Sequence, residues 1–244
     1  MLSTNWLDGS ESFVNILFSS HSPAVLSRSL TKFVSKRGEH LTSTQIIGIE
    51  SYKEERKKGH FGHVGPPEDE DAMWRHYEYF NDIFFCGCLE GLCAIKFCNN
   101  TDHVGVEADS FGEAISPITG GTHRQQTPDG YAALIKIKDQ SNESPLLDEE
   151  APWRSYLSTL LHEMLHVFFG VYGCMCSAAC QKVHAEKIGK SGHRMSWQLA
   201  AFAVEDATLP LLGENLDLSR RISFEDDQEY VKSADDATVA QFRF

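Results

Sequence analysis

The apolar stretch Leu157 to Phe169 is interrupted by three polar residues, His162, Glu163 and His166. Such a stretch suits a buried helix, on which residues four apart lie one above the other. His162 and His166 then share a face, and Glu163 lies one residue along. Buried polar groups cost free energy unless they find partners, and a metal ion is a partner that two stacked imidazoles can share. The segment Leu161-His-Glu-Met-Leu-His-Val167 has the H-E-x-x-H form in which two helical histidines bind zinc and the glutamate serves a bound water as general base.

A catalytic zinc takes three protein ligands and keeps one position for water, so a further ligand must come from elsewhere in the chain. His193, in Lys190-Ser-Gly-His-Arg-Met-Ser-Trp-Gln198, precedes a helix whose apolar face can pack on the motif helix. His184 is the alternative on spacing alone. Zinc acidifies water and polarises a carbonyl, and Glu163 can pass the proton to a leaving amine, which describes peptide hydrolysis without a covalent intermediate.

The rest of the chain bounds this reading. Of 244 residues, 35 are acidic and 22 basic, giving a net charge of -13, which argues against a surface that neutralises nucleic-acid phosphates broadly. The first residues lack the basic region of a secretory signal, and no apolar run is long enough to span a bilayer. The expectation is a soluble intracellular protein, nuclear or cytoplasmic, with no membrane partner. Seven cysteines in such a chain point to reduced thiols, metal binding or burial before a disulfide framework.

Residues 1 to 50 carry helix-like patterning in Phe13 to Phe18 and in Ala24 to Val34, with Pro23 placed to start a helix after Ser22. Residues 51 to 71 are rich in charge, Gly and Pro and read as a linker or loop. A domain over 72 to 213 follows. It opens with a helix over Ala72 to Phe85 that gathers Met73, Trp74, Tyr77, Phe80, Asn81 and Phe84 on one face and ends near Gly87. Leu92 to Phe97, Val104 to Ala108 and Tyr131 to Lys138 read as strands of a small, mostly antiparallel sheet. The motif helix spans about Pro152 to Tyr172, with Gly173 placed to end it in the left-handed conformation. A last helix runs from about Ser196 to Leu209, before Pro210. Residues 214 to 244, with Glu225-Asp-Asp-Gln-Glu229, read as an acidic tail.

Three segments taken together resemble the SprT-like zinc metalloproteases, the family that includes the DNA-protein crosslink protease Spartan. They are Tyr79-Phe-Asn-Asp-Ile-Phe-Phe-Cys-Gly-Cys-Leu89, Thr159-Leu-Leu-His-Glu-Met-Leu-His-Val167 and Ser191-Gly-His-Arg-Met-Ser-Trp197, in the family's order, and the resemblance covers roughly residues 72 to 210. It implies an α+β, zincin-like fold, with a small sheet packed against helices, and cleavage of protein substrates. It also implies His162, His166 and His193 as zinc ligands, Glu163 as general base, and Trp197 as an aromatic packed beneath the site. DNA-bound protein substrates are implied by the resemblance alone. The chain departs from the family in three ways. Gly-His-Gly reads Gly-His-Arg, so Arg194 stands beside the third ligand, placed to stabilise an oxyanion or, the preferred reading, to face solvent. The stretch from His166 to His193 is longer and holds a cysteine cluster. No separate zinc module or basic DNA-binding segment follows Leu209.

That cluster, Cys174, Cys176, Cys180 and His184, offers the donor set of a structural tetrahedral zinc, against the alternative of small buried thiols. Were residues 176 to 184 helical, Cys180 and His184 would share a face and Cys176 would join them. Cys86, Cys88, Cys93 and Cys98 read as packing residues, since alternation sends Cys93 and Cys98 to opposite faces of a strand. His60 and His63, in a Gly-rich loop, read as solvated. The chain is thus expected to be a zinc metalloendopeptidase with one catalytic ion and room for a structural one; the alternative is a catalytically silent, zinc-stabilised interaction module.

Overall fold

The computed structural model describes residues 19–58, 70–98, 111–116, 127–128, 130–138 and 151–244. In chain order these form α1 (Pro23–Val34), α2 (Ser43–Lys57), α3 (Glu70–Phe85), β1 (Cys93–Cys98), β2 (Gly112–Ile115) and β3 (Ala133–Lys138). Next come α4 (Ala151–Tyr172), α5 (Ala178–Lys187) and α6 (Met195–Leu212), then three short helices, α7 (Arg220–Asp226), α8 (Gln228–Ser233) and α9 (Asp236–Phe242). The architecture is α+β, dominated by helices. No described helix is long and apolar enough to cross a membrane. Phe13 to Phe18, Val104 to Ala108, His60 and His63 lie outside the described residues.

Helix α4 is apolar nearly all round because it is covered nearly all round. It packs on β2 and β3 and also touches α1, α3 and α6. Leu157, Leu160, Leu161, Met164, Leu165, Val167 and Phe168 are all fully buried. The helix does not end in a left-handed glycine: Gly173 instead forms a parallel bridge with His21, and Cys174 donates its N–H to the His21 carbonyl at 2.8 Å. The left-handed turn falls after α3, at Cys86 and Gly87. There, buried Asn81 accepts a hydrogen bond from Leu89 N–H at 2.8 Å, and the Tyr77 hydroxyl donates to the Leu89 carbonyl at 2.6 Å.

The sheet order is β1-β3-β2. Strand β3 pairs in parallel with β1, Cys93 opposite Ala133 through Cys98 opposite Lys138, and antiparallel with β2, Gly112 opposite Ile137 through Ile115 opposite Leu134. The sheet is therefore mixed, not mostly antiparallel. The long excursion between Cys98 and Ala133, which contains β2, supplies the crossover that a parallel pair requires and a hairpin would not.

Two sequence-drawn boundaries do not separate structural units. Residue 50 falls inside α2, and Leu26, Leu30 and Phe33 of α1 and Tyr52 of α2 belong to the same buried cluster as α3, α4 and α6. Nor are residues 214 to 244 a loose tail. Leu216, Leu218, Phe224 and Phe242 are buried, and Arg220 pairs with Glu205 of α6 and donates to the Phe242 carbonyl. Apolar residues spaced through an acidic run anchor it. Helix α6 likewise continues through Pro210 and closes at left-handed Gly213.

A buried titratable group in this core makes the fold acid-sensitive. His76 on α3 packs against Trp153 with ring centroids 5.0 Å apart and places Nδ1 2.6 Å from the Ala72 carbonyl. Burial lowers its pKa from 6.5 to about 4. The folded state therefore holds the neutral ring, and stability present above pH 6.5 is lost as pH falls toward 4, by up to roughly 3 kcal/mol. Melting curves from pH 7 to 4.5 should fall less steeply for His76→Phe than for the wild type.

Candidate metal centre

Three imidazoles, from α4 and the loop between α5 and α6, meet in a cleft that strand β2 also lines. Helix α4 carries His162 and His166 one turn apart; the α5–α6 loop carries His193. Their three Nε2 atoms lie 3.0 Å (162 to 193), 3.0 Å (162 to 166) and 2.9 Å (166 to 193) from one another. A tetrahedral zinc with Zn–N bonds of about 2.0–2.1 Å sets its ligand nitrogens about 3.3 Å apart, so the triangle needs to open by only a few tenths of an ångström. His162 Nδ1 lies 2.9 Å from the Leu218 carbonyl. An N–H donated there leaves Nε2 as a bare lone pair aimed at the other two rings. Burial lowers the His162 pKa to about 4 and holds His166 and His193 well below the ordinary value, so all three rings are neutral at pH 7.

Beneath the triad lies Trp197 of α6, fully buried, with its ring centroid 4.7 Å from His162, 5.5 Å from His166 and 4.6 Å from His193. Above His166 lies Gly192, in the left-handed region at φ 86°, where an added Cβ would stand 2.7 Å from His166 Cε1. Both the backbone conformation and the close approach require glycine. Gly192→Ala should keep most of the helical circular-dichroism signal and weaken zinc binding by at least tenfold, measured by competition with a chromogenic chelator.

Glu163 faces the same cleft from α4 and is 5% exposed. It accepts a hydrogen bond from the Ala114 backbone N–H, while burial and then the neighbouring Glu113 push its pKa up to about 8. Strand β2 forms the facing wall and can come this close because of two glycines. A Cβ at Gly112 would meet Thr159 Cγ2 at 2.7 Å and Glu163 Oε1 at 2.8 Å; one at Gly170 would meet Ser116 Oγ at 2.1 Å. Glu113 sits opposite Lys136 in the antiparallel register and pairs with it at 3.1 Å. The open cleft measures about 630 Å³ and is also lined by Met175, Gln181 and His184.

Arg194 neither reaches the triad as an oxyanion donor nor points freely to solvent. It donates to Asp227 at 2.9 Å, lies 3.6 Å from Glu229, and covers the Tyr230 ring at 5.3 Å. The acidic stretch near residue 227 thus supplies the countercharge that fixes the loop carrying His193. Arg194 also holds the Asp227 carboxyl below its ordinary pKa.

The second donor set is only partly assembled. Cys174, Cys176 and Cys180 converge, with Sγ separations of 3.1, 3.5 and 3.7 Å. His184 does not join them. It is buried in the cleft wall, with no hydrogen-bond partner for Nε2 among the described residues. Cys180 and His184 both lie in α5, one turn apart, but Ser177 caps that helix and Ala178 is its first residue, so Cys176 lies outside it; the sulfurs gather at the helix start, while His184 lines the cleft. Cys86, Cys88, Cys93 and Cys98 are all buried, and no metal-donor group among the described residues includes them.

Gly112, Glu113, Ala114, Asp227 and the Leu218 carbonyl contribute to the site without having been singled out in the sequence. The charge of the segment around residue 227, opposite in sign to Arg194, was the one available signal. No family model, curated protein or solved structure matches this chain.

Proposed function

We propose that this chain is a zinc-dependent endopeptidase of the SprT-like kind, with a zincin-like arrangement of its motif helix and sheet. The observation that carries the reading is the convergence of three neutral imidazoles beside a buried carboxylate in one open cleft. His162, His166 and His193 would hold the ion. When bound, zinc supplies Lewis acidity at a position left open by three protein ligands.

Glu163 is the group placed to move protons. The positive charge of a bound zinc would offset the burial that raises the Glu163 pKa, and as the carboxylate Glu163 accepts a proton from the attacking water and returns it to the amine nitrogen as the peptide bond breaks. The Ala114 N–H and the apolar wall of α4 fix its orientation. Trp197 and the Leu218 carbonyl hold the imidazoles in place so that little reorganisation accompanies the reaction. Among the described residues β2 is paired only on its β3 side, which suits an extended peptide binding along it through main-chain hydrogen bonds, with little demand on sequence.

The test is cleavage of an unfolded protein by the zinc-loaded chain, with new N-termini read by mass spectrometry, with and without chelator, and with and without single-stranded DNA. Chelator-sensitive cleavage is expected. Stimulation by DNA would extend the reading to DNA-bound protein substrates, which rest on resemblance alone. No cleavage under any condition would overturn it in favour of a silent zinc-stabilised module.

A further inference from the structure

We infer that Cys174, Cys176 and Cys180 form a second metal site, binding a thiophilic divalent cation such as zinc through three thiolates, with the fourth position taken by water or another small ligand. The spacing of the sulfurs is the first argument. Tetrahedral zinc with Zn–S bonds of about 2.3 Å sets its sulfurs about 3.75 Å apart. The observed triangle, 3.1, 3.5 and 3.7 Å, is slightly tighter than that, as the histidine triangle is relative to a zinc–imidazole site. A disulfide would bring two sulfurs to about 2.05 Å and leave the third aside. Here all three face one point.

The backbone holds that geometry before any ion arrives. Cys174 is tied through its N–H to His21, next to the Gly173–His21 bridge, while the N–H of Cys180 donates to the capping hydroxyl of Ser177 at 3.2 Å. Cys180 also lies in the first turn of α5, where the helix dipole favours a thiolate. On binding, each thiol releases its proton to solvent, and three thiolates against a dication leave a net charge of −1. The ion would join the end of α4 to the start of α5. Met175 lies between two of the ligands, and Gln181 follows the third; both line the catalytic cleft, so occupancy of the thiolate site would set the position of that wall. The inference stands independently of the hydrolytic reading.

Cobalt(II) titration of the reduced, metal-free full-length chain tests it, because a thiolate site gives a sulfur-to-cobalt charge-transfer absorption in the near ultraviolet and a three-histidine site does not. The band is expected in the wild type, to saturate at one equivalent in His193→Ala, where the histidine site no longer competes, and to vanish in the Cys176→Ser/Cys180→Ser variant with the helical signal intact. Zinc should protect three of the seven thiols from alkylation. Absence of the band in the wild type, or its persistence in the double variant, would overturn the inference. Neither result depends on cleavage, so failure here is distinguishable from failure of the proposed activity.

Discussion

Glu163→Gln is expected to retain its zinc and to cleave an unfolded protein about 10²–10⁴-fold more slowly than the wild type. Glutamine keeps the size of the side chain and can still accept a hydrogen bond from Ala114, but it cannot take a proton from water. Equal metal content with this loss would separate proton transfer from ligation; equal rates would remove Glu163 from the reaction. The metal-free proteins should differ in the opposite direction. Burial and Glu113 push the Glu163 pKa from 4.5 to about 8, so the fold binds this proton more tightly than the unfolded chain does. Stability present below pH 4.5 is therefore lost as pH rises toward 8. The metal-free variant should melt near the wild type at pH 4.5 and above it at pH 8.5.

Trp197→Ala is expected to cost about 3–5 kcal/mol in stability, read by denaturant titration, and to weaken zinc binding as well. The indole is fully buried and touches all three imidazoles, lying at 18° to the plane of His166, so its removal leaves a cavity directly beneath the donor triangle. Its N–H has no hydrogen-bond partner among the described residues. Phenylalanine would keep a flat apolar surface and remove that donor, so Trp197→Phe should cost less than half as much and bind zinc nearly as tightly. If the two variants lose zinc affinity equally, the platform role is wrong and the effect belongs to overall packing.

The parts of this architecture that could be read in the sequence were those carried by side-chain periodicity. Helix α4 begins and ends within a residue of its expected span because its apolar pattern and Pro152 are local signals. The placement of His193 beside His162 and His166 was suggested by a histidine loop preceding an apolar helix. Strand β2 was not foreseen, since four residues, Gly-Glu-Ala-Ile, are too few to show alternation. The Leu218 carbonyl that orients His162 carries no sequence signal, because every residue has one. The packing of residues 214 to 244 was hidden by their charge: Leu216, Leu218, Phe224 and Phe242, whose burial anchors the segment, are too widely spaced to make a period, and the accompanying pairs, Arg220 with Glu205 and Arg194 with Asp227, are long-range. Cys176 and His184 were expected on one helical face with Cys180, but α5 begins at Ala178, so Cys176 meets Cys180 from outside the helix and His184 lines the cleft.

The packing of α1 against α6 bears on how the protein is made. Leu26, Leu30 and Phe33 are covered in the finished fold partly by a helix that starts roughly 160 residues after α1 ends; at about 5–20 residues per second, a chain emerging N-terminus first leaves that face without this cover for roughly ten to thirty seconds. During synthesis the apolar face of this early helix waits on the ribosome, which must deliver α6 before the core can close.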